Sequence, residues 1–241
     1  MSKDKIIMKK PKSSHHANSR LDSKIRAQGK SKAAGDVRII GGQLKRRLVT
    51  FIDADGLRPT PDRLRETLFN WLLADIHGAR VLDSCAGSGV LGFESLSRGA
   101  AHCTFIEFNQ AQAKLLEHSA QQLKLDTGCY KIIAGAAEQV LVQNFTFDRS
   151  FDDRSFDIVF IDPPYAQDLW QPILSTLIEQ QLINTTSLIY LEADKDLTEQ
   201  LTNLTLTLQQ RAATVDFYGF NCLKQTQVGQ VVAGLYQLTS S

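Results

Sequence analysis

Residues 80–96 read RVLDSCAGSGVLGFESL, and this stretch decides the fold. A short apolar run suited to a buried strand ends at Asp83, and a helical apolar pattern follows it. Gly87, Gly89 and Gly92 form a GxGxxG pattern, a spacing that lets the backbone approach a nucleotide closely. The pattern alone is a weak signal, because the same glycines also suit a tight turn from strand to helix.

Short apolar runs alternate with helical patterns along the rest of the chain. We predict strands at residues 80–84, 102–108, 130–134, 156–161 and 187–193, and helices at about 90–98, 110–124, 137–144 and 168–181. This alternation indicates βαβ units and therefore a Rossmann-like, doubly wound α/β fold with a mostly parallel sheet. From Leu204 to Leu238 we expect no long helix, but an antiparallel pair that closes one sheet edge and completes seven strands.

Two acids lie at predicted strand ends, where sheets of this kind bind their ligands. Glu107 comes twenty residues after Gly87, where an acid would contact the ribose hydroxyls of NAD or S-adenosylmethionine. Asp83 directly precedes the glycines, where a carboxylate would repel a pyrophosphate but attract an ammonium group or a sulfonium. The two acids together favour S-adenosylmethionine over NAD.

A rigid corner, FIDPPY at residues 160–165, ends the fourth predicted strand at the same sheet edge. Pro163 and Pro164 lack an amide N–H and fix their own φ angles, so the corner holds its shape. The Pro163 carbonyl and the Asp162 carboxylate could accept both hydrogens of one exocyclic amino group, and Tyr165 offers a flat face to a planar base. Such contacts would orient the nitrogen towards an electrophilic methyl group, so all four residues are catalytic candidates.

The charges are sorted along the chain. Residues 1–47 carry 14 Lys and Arg against 3 Asp and Glu, whereas the remainder carries 13 against 23. Residues 1–36 lack apolar periodicity, so we expect a disordered basic arm. A polyanion such as nucleic acid is its natural partner, although a solvated tail without a ligand remains an alternative.

Two more basic elements follow in residues 37–78. Two β-type runs flank Gly41 and Gly42, which predicts a hairpin with basic residues at its turn or on one strand. Thr60 can then cap a helix whose apolar residues recur from Leu64 to Leu72. Three arginines would lie at the N-terminal end of this helix or on its outer faces: Arg58, Arg63 and Arg65.

Four segments resemble the RsmD family when taken in order: RIIGGQLKRR, GLRPTPDRLRETLFNWL, LDSCAGSGVLGFESLSRGA and DIVFIDPPY. DPPY is similar to the (D/N/S)PP(Y/F/W) motif of amino-group methyltransferases that use S-adenosylmethionine. Members of the RsmD family methylate N2 of one guanine in bacterial 16S ribosomal RNA. The resemblance covers about residues 37–195 and implies a class I methyltransferase domain at 79–241 with an N-terminal basic hairpin and helix extension at 37–78.

The resemblance also implies roles for particular residues. It implies that Asp162, Pro163 and Tyr165 hold the guanine of 16S rRNA, on an assembled or assembling small ribosomal subunit. The implied cofactor site comprises Asp83, Ala86, Gly87, Ser88, Gly89, Glu107, Ala136 and Ala137. The candidate RNA contacts are Arg38, Lys45, Arg46, Arg47, Arg58, Thr60 and Arg63.

Two departures from the family pattern concern the cofactor. Asn109 stands where many relatives have Asp, so ribose contact is expected from Glu107 alone. Ala136 and Ala137 stand where a polar side chain often meets the adenine, so backbone groups would have to read that base.

The composition sets further limits. The 241 residues are 43% hydrophobic and 22% charged, which is typical of a globular protein. No apolar run approaches the roughly 18 to 20 residues that cross a bilayer, and the four cysteines form no CxxC pair. We expect a cytoplasmic monomer that binds neither a membrane nor a metal.

Other functions remain open at this point. The same two acceptors could hold N6 of adenine in DNA or a glutamine side chain of a protein. An NAD(P)-dependent oxidoreductase would use GxGxxG but leaves DPPY unexplained. A non-catalytic RNA-binding module would need only the basic arm.

Overall fold

The structure is a computed structural model that describes residues 33–52, 60–145, 155–163, 169–194, 196–211 and 217–239. The described strands are β1 (Ala33–Arg38), β2 (Leu48–Ile52), β3 (Arg80–Asp83), β4 (His102–Glu107), β5 (Tyr130–Ala134), β6 (Ile158–Ile161), β7 (Leu188–Ala193), β8 (Gly219–Val228) and β9 (Val231–Thr239). The described helices are α1 (Asp62–Trp71), α2 (Val90–Ser97), α3 (Gln110–Leu123), α4 (Ala137–Phe145), α5 (Trp170–Glu179) and α6 (Leu197–Arg211). Among these helices, none is long and apolar enough to cross a membrane.

The central sheet confirms the predicted fold. Its strand order is β5-β4-β3-β6-β7-β9-β8, with β3 to β7 parallel and the pairs β7–β9 and β9–β8 antiparallel. The register pairs Asp83 with Phe105 of β4 and with Phe160 of β6. Glu107 and Asp162 each come two residues after those partners, so Asp83, Glu107 and Asp162 meet at the carboxyl edge of the sheet. Buried Glu192 of β7 lies at the same edge, level with Asp162, because the register pairs Ile161 with Leu191.

The expectation of no long helix after Leu204 is wrong. Helix α6 extends to Arg211, and its buried leucines recur at helical spacing: Leu197, Leu201, Leu204 and Leu208. Threonines between these leucines favour a strand by intrinsic propensity. One apolar stripe packed on the core outweighs that preference.

The predicted hairpin is present as the antiparallel pair β1–β2, but its connection is longer than a two-residue turn and spans residues 39–47. Strand β1 begins at Ala33, so the last four residues of the predicted disordered arm, residues 33–36, belong to a strand. Residues 1–32 lie outside the described residues. Gly42 has a φ of 72°, and a Cβ there would lie 1.9 Å from the Ser97 carbonyl oxygen. The glycines therefore allow the connection to press against the C-terminal end of α2.

The hairpin connection lies at the amino edge of the sheet, opposite the three acids. Gly78, just before β3, donates to the carbonyl of Gly99, just after α2, which places the end of α2 at that edge. The amide of Leu44 donates to the Ser97 hydroxyl at 2.8 Å, and Arg47 donates to the Gln122 carbonyl near the end of α3 at 2.6 Å.

A buried ion cluster joins the hairpin and α1 to the sheet domain. Arg65 lies near the N-terminal end of α1, one of the two places predicted for it, but its side chain is 0% exposed. Its guanidinium lies 3.8 Å from the buried Glu94 carboxylate on α2 and 2.5 Å from Asp62. Glu94 also accepts hydrogen bonds from the Ile40 amide and from Arg98, each at 2.8 Å. The capping prediction for Thr60 is also wrong, because Pro61 occupies the N-cap and no side chain caps the helix.

Replacing Glu94 by Ala should lower the free energy of unfolding by about 3 kcal/mol, because it leaves the buried Arg65 charge without its partner on α2. Urea unfolding followed by circular dichroism measures the change. Glu66→Ala, at an exposed position on α1, is the matched control. Equal stability of the two variants would show that the cluster does not hold the hairpin and helix in place.

Candidate active site

Asp83 is a deeply buried acid at the carboxyl edge of the sheet. It ends β3, is 3% exposed and accepts a hydrogen bond from the Gly92 amide at 3.1 Å in the first turn of α2. Burial raises the pKa of Asp83 to about 7, and the charges of Asp162 and Glu107 add to this rise. The hydrogen bond from Gly92 opposes it. Asp83 is therefore a carboxylate that a bound cation would stabilise.

The glycine-rich loop adopts the conformation that the GxGxxG spacing predicts. Gly87 and Gly89 have φ angles of 51° and 73°, in the left-handed region that favours glycine. A Cβ on Gly92 would lie 2.2 Å from the Phe105 ring, so this glycine allows α2 to pack closely on the sheet. The Ala86 amide donates to the Ile106 carbonyl at 2.9 Å, which anchors the loop to β4.

Glu107 connects the second strand end to the glycine-rich loop. Its Oε2 accepts from the Gly87 amide and its Oε1 from the Asn109 amide, both at 2.7 Å. Burial raises the pKa of Glu107, although both hydrogen bonds favour the ionised form. Each carboxylate oxygen has a second lone pair, so Glu107 can still accept bonds from the hydroxyls of a ligand.

Asp162 lies at the end of β6, beside the other two acids. Its Oδ2 accepts a hydrogen bond from the Thr60 hydroxyl at 3.3 Å, and burial raises the pKa of Asp162 to about 6. Pro163 is buried next to it. The remaining catalytic candidates, Pro164 and Tyr165, lie outside the described residues.

The other predicted cofactor residues lie along the same carboxyl edge of the sheet. The amide of Val90 donates to the buried Ser88 hydroxyl at 3.3 Å, so this side chain shapes the loop. Ala137 is buried in the first turn of α4, and Ala136 comes just before it. The structure accounts for Asn109 as the N-cap of α3, where its side chain accepts from two backbone amides.

Phe108 is a candidate that the sequence analysis missed. It directly follows Glu107, and its side chain is 78% exposed at the acidic edge. An aromatic ring this exposed is available to cover a planar ligand. The signal in the sequence was an aromatic residue immediately after a strand-terminal acid.

The basic residues predicted to contact RNA lie in two separate parts of the structure. Lys45 and Arg46 are exposed in the hairpin connection at the amino edge of the sheet. They are separated from the acids by about the length of the 14-residue helix α3, which is about 20 Å. Arg38 and Arg63 are exposed near the start of α1, and Arg38 lies 3.7 Å from Asp62. Thr60 is buried against Asp162, and Arg58 lies outside the described residues.

The sheet order, the glycine-rich loop and the acids at the carboxyl edge define a class I methyltransferase, an enzyme class built on a Rossmann-like fold. A family model described as Conserved hypothetical protein 95 matches residues 37–221. This match covers more than half of the chain.

Similar proteins specify the family. Ribosomal RNA small subunit methyltransferase D of Haemophilus influenzae is 40% identical over 164 residues, which cover 68% of this chain and 82% of that protein. The Escherichia coli K12 protein of the same name is 40% identical over 161 residues, covering 67% and 76%. The solved structure of the Escherichia coli protein yhhF, named as a methyltransferase, gives a TM-score of 0.66 at 32% identity and covers 86% of this chain and 100% of that chain. The chain belongs to the RsmD family of methyltransferases.

Replacing Asp83 by Asn should flatten the dependence of stability on pH. The folded-state pKa of Asp83 is raised from 3.8 to about 7, so between these pH values the folded protein binds more protons than the unfolded chain. The free energy of unfolding therefore falls as pH rises from about 4 to about 7, by at most about 4 kcal/mol from this group.

Urea unfolding at pH 4.5, 6 and 8 measures this slope in the wild type and the variant. Asp75→Asn, at an exposed position, is the control that should retain the wild-type slope. An unchanged slope in Asp83→Asn would contradict the desolvation of Asp83.

Proposed function

We propose that this enzyme uses S-adenosylmethionine to methylate the exocyclic N2 amino group of a guanine in small-subunit ribosomal RNA, on an assembled or assembling particle. The observation that carries the proposal is the meeting of Asp83, Glu107 and Asp162 at one sheet edge, with Pro163 beside Asp162. Membership of the RsmD family supports the substrate class, because the similar proteins are named for small-subunit ribosomal RNA.

The residues at the edge fit S-adenosylmethionine. The left-handed glycines leave the loop backbone open to close approach, and Glu107 retains acceptor capacity for ribose hydroxyls. Within the described residues, no lysine or arginine forms an ion pair with any of the three acids. A ligand that carries an ammonium group and a sulfonium would supply the missing positive charge and lower the pKa of Asp83. When bound, S-adenosylmethionine supplies an electrophilic methyl group.

The corner at the end of β6 would orient the amino group. The lone pair of an exocyclic guanine amine is delocalised into the ring, so the amine is a weak nucleophile. The ionised Asp162 carboxylate and the Pro163 carbonyl each accept one of its hydrogens, and together they fix the direction in which the nitrogen lone pair points. The enzyme would act by alignment and electrostatics, without a covalent intermediate on the protein. As the N–CH3 bond forms and the S–CH3 bond breaks, the nitrogen loses one hydrogen as a proton, which the Asp162 carboxylate is placed to accept.

The distribution of basic residues favours a large substrate. Lys45 and Arg46 lie about 20 Å from the acids by the length of α3, too far to contact the base that Asp162 holds. A structured RNA can reach both places at once, whereas a free nucleoside cannot. Because the family is one of methyltransferases, the oxidoreductase alternative loses its support.

Replacing Asp162 by Ala should abolish methyl transfer and leave the affinity for S-adenosylmethionine within about threefold of wild type, since Asp162 acts on the amine and not on the cofactor. The assay uses small subunits from a strain that lacks the enzyme, labelled S-adenosylmethionine and mass spectrometry of nucleosides. The wild type should produce N2-methylguanosine, and Asp75→Ala should match it.

Deproteinised RNA in the same assay distinguishes a particle substrate from naked RNA. A product other than N2-methylguanosine would contradict the guanine assignment. Near-normal transfer by Asp162→Ala would contradict the role of the corner.

Replacing both Lys45 and Arg46 by Gln should weaken RNA binding and reduce the slope of log K against log salt by about two, one for each lost phosphate contact. Arg47 stays in place because it also bonds to α3. Lys224→Gln, on the exposed edge strand β8, is the control. Titrations at several salt concentrations measure the slope, and an unchanged slope would exclude the hairpin connection as a phosphate contact.

A further inference from the structure

Thr60 contacts the acid that we assign to the target amine. Its side chain lies at the entrance to α1 and is 6% exposed, and its hydroxyl donates to Oδ2 of Asp162 at 3.3 Å. The two residues are 102 positions apart in the chain, so the tertiary fold brings them together. Thr60 is among the RNA contacts predicted above, but a hydroxyl that is buried against a carboxylate is not available to a phosphate.

We propose that Thr60 is a positioning residue that holds the Asp162 carboxylate so that its other oxygen, Oδ1, faces the target amine. The proposal rests on the function proposed above for Asp162. A carboxylate that ends a strand can rotate about its side-chain torsions, and its two oxygens are then equivalent. A fixed donor on Oδ2 removes this freedom and leaves Oδ1 as the oxygen that accepts from substrate.

The position of Thr60 is fixed in turn by the buried Arg65. The Arg65 Nε donates to the Thr60 carbonyl at 3.1 Å, and its Nη1 donates to the Arg38 carbonyl at the end of β1 at 2.9 Å. The same guanidinium faces Glu94 and Asp62. The Arg65 guanidinium thus holds both Thr60 and the hairpin. The contact between Thr60 and Asp162 is therefore connected to the buried ion cluster.

The groups around Asp162 are acidic, so a hydrogen-bond donor to Asp162 helps to keep its carboxylate ionised. Asp83 on β3, Glu107 on β4 and the buried Glu192 on β7 are acids, and the Cys85 thiol lies in the loop after β3. Burial raises the pKa of Asp162, whereas the hydrogen bond from Thr60 lowers it and favours the ionised form. In the ionised form neither oxygen carries a proton, so Oδ1 can accept from substrate while Oδ2 accepts from Thr60.

The test compares Thr60→Val, which removes the hydroxyl at nearly constant volume, with Thr60→Ser, which keeps it. Thr67→Val on α1 is the matched control, because its hydroxyl donates only to the Arg63 carbonyl one turn earlier. The first readout is the titration of the Asp162 carboxyl carbon by NMR in protein labelled at aspartate, assigned with Asp162→Asn. This readout requires neither RNA nor turnover.

Thr60→Val should raise the pKa of Asp162 by about one pH unit, since a hydrogen bond to the charged form is lost. The acid limb of kcat/KM should move to higher pH by the same amount, and kcat at pH 7 should fall by about 10- to 100-fold. The affinity for S-adenosylmethionine should stay unchanged. Thr60→Ser should restore the wild-type values, and Thr67→Val should retain them.

A wild-type titration of Asp162 in Thr60→Val would overturn the proposal, whatever the activity of the enzyme. A shifted titration with an unchanged rate profile would overturn the catalytic consequence. Failure of the wild type to methylate small-subunit RNA would instead refute the proposed function, and the NMR titration would still decide whether Thr60 controls Asp162.

Discussion

The buried guanidinium of Arg65 is the interaction on which the arrangement of this molecule depends. A charge removed from water is costly unless it is fully paired and hydrogen-bonded. Arg65 meets this requirement with carboxylates from Asp62 and Glu94 and with two backbone carbonyls. Its partners come from the hairpin, from the entrance to α1 and from α2, so these parts must be in place together. The hairpin and α1 therefore form one compact unit with the central sheet.

A second constraint acts at the carboxyl edge of the sheet, beside the first turn of α2. Asp83, Glu107 and Asp162 share one edge of the sheet, and burial raises the pKa of each; at Asp83 the charges of the other two add to this rise. The fold limits this cost with neutral donors: backbone amides at Asp83 and Glu107, and a hydroxyl at Asp162. Neutral donors stabilise the acids without cancelling their charge. The edge therefore retains an attraction for a cationic ligand, which paired lysines or arginines would have removed.

Much of this arrangement could be predicted from the sequence, because strand-terminal acids and glycine spacing are local patterns with few structural solutions. The burial of Arg65 was missed because an arginine on a short helix is usually exposed. A signal was present, since positions 65, 69 and 72 have the helical spacing of a buried face and the last two are Phe and Leu. Helix α6 was missed because its threonines favour strands. The contact between Thr60 and Asp162 has no local signal, because it arises from tertiary packing across 102 residues.

The hairpin connection and the acids lie at opposite edges of the sheet, about 20 Å apart by the length of α3. In the proposed function, this separation sets the distance that must lie between the two contact points on the RNA. Once one edge is engaged, the effective concentration of substrate at the other depends on how well the RNA holds its two contact points at that spacing. A folded RNA of matching shape gains from both contacts, while a flexible strand loses conformational entropy to do so. If the proposed function holds, the tertiary structure of the RNA helps to determine which guanine is modified.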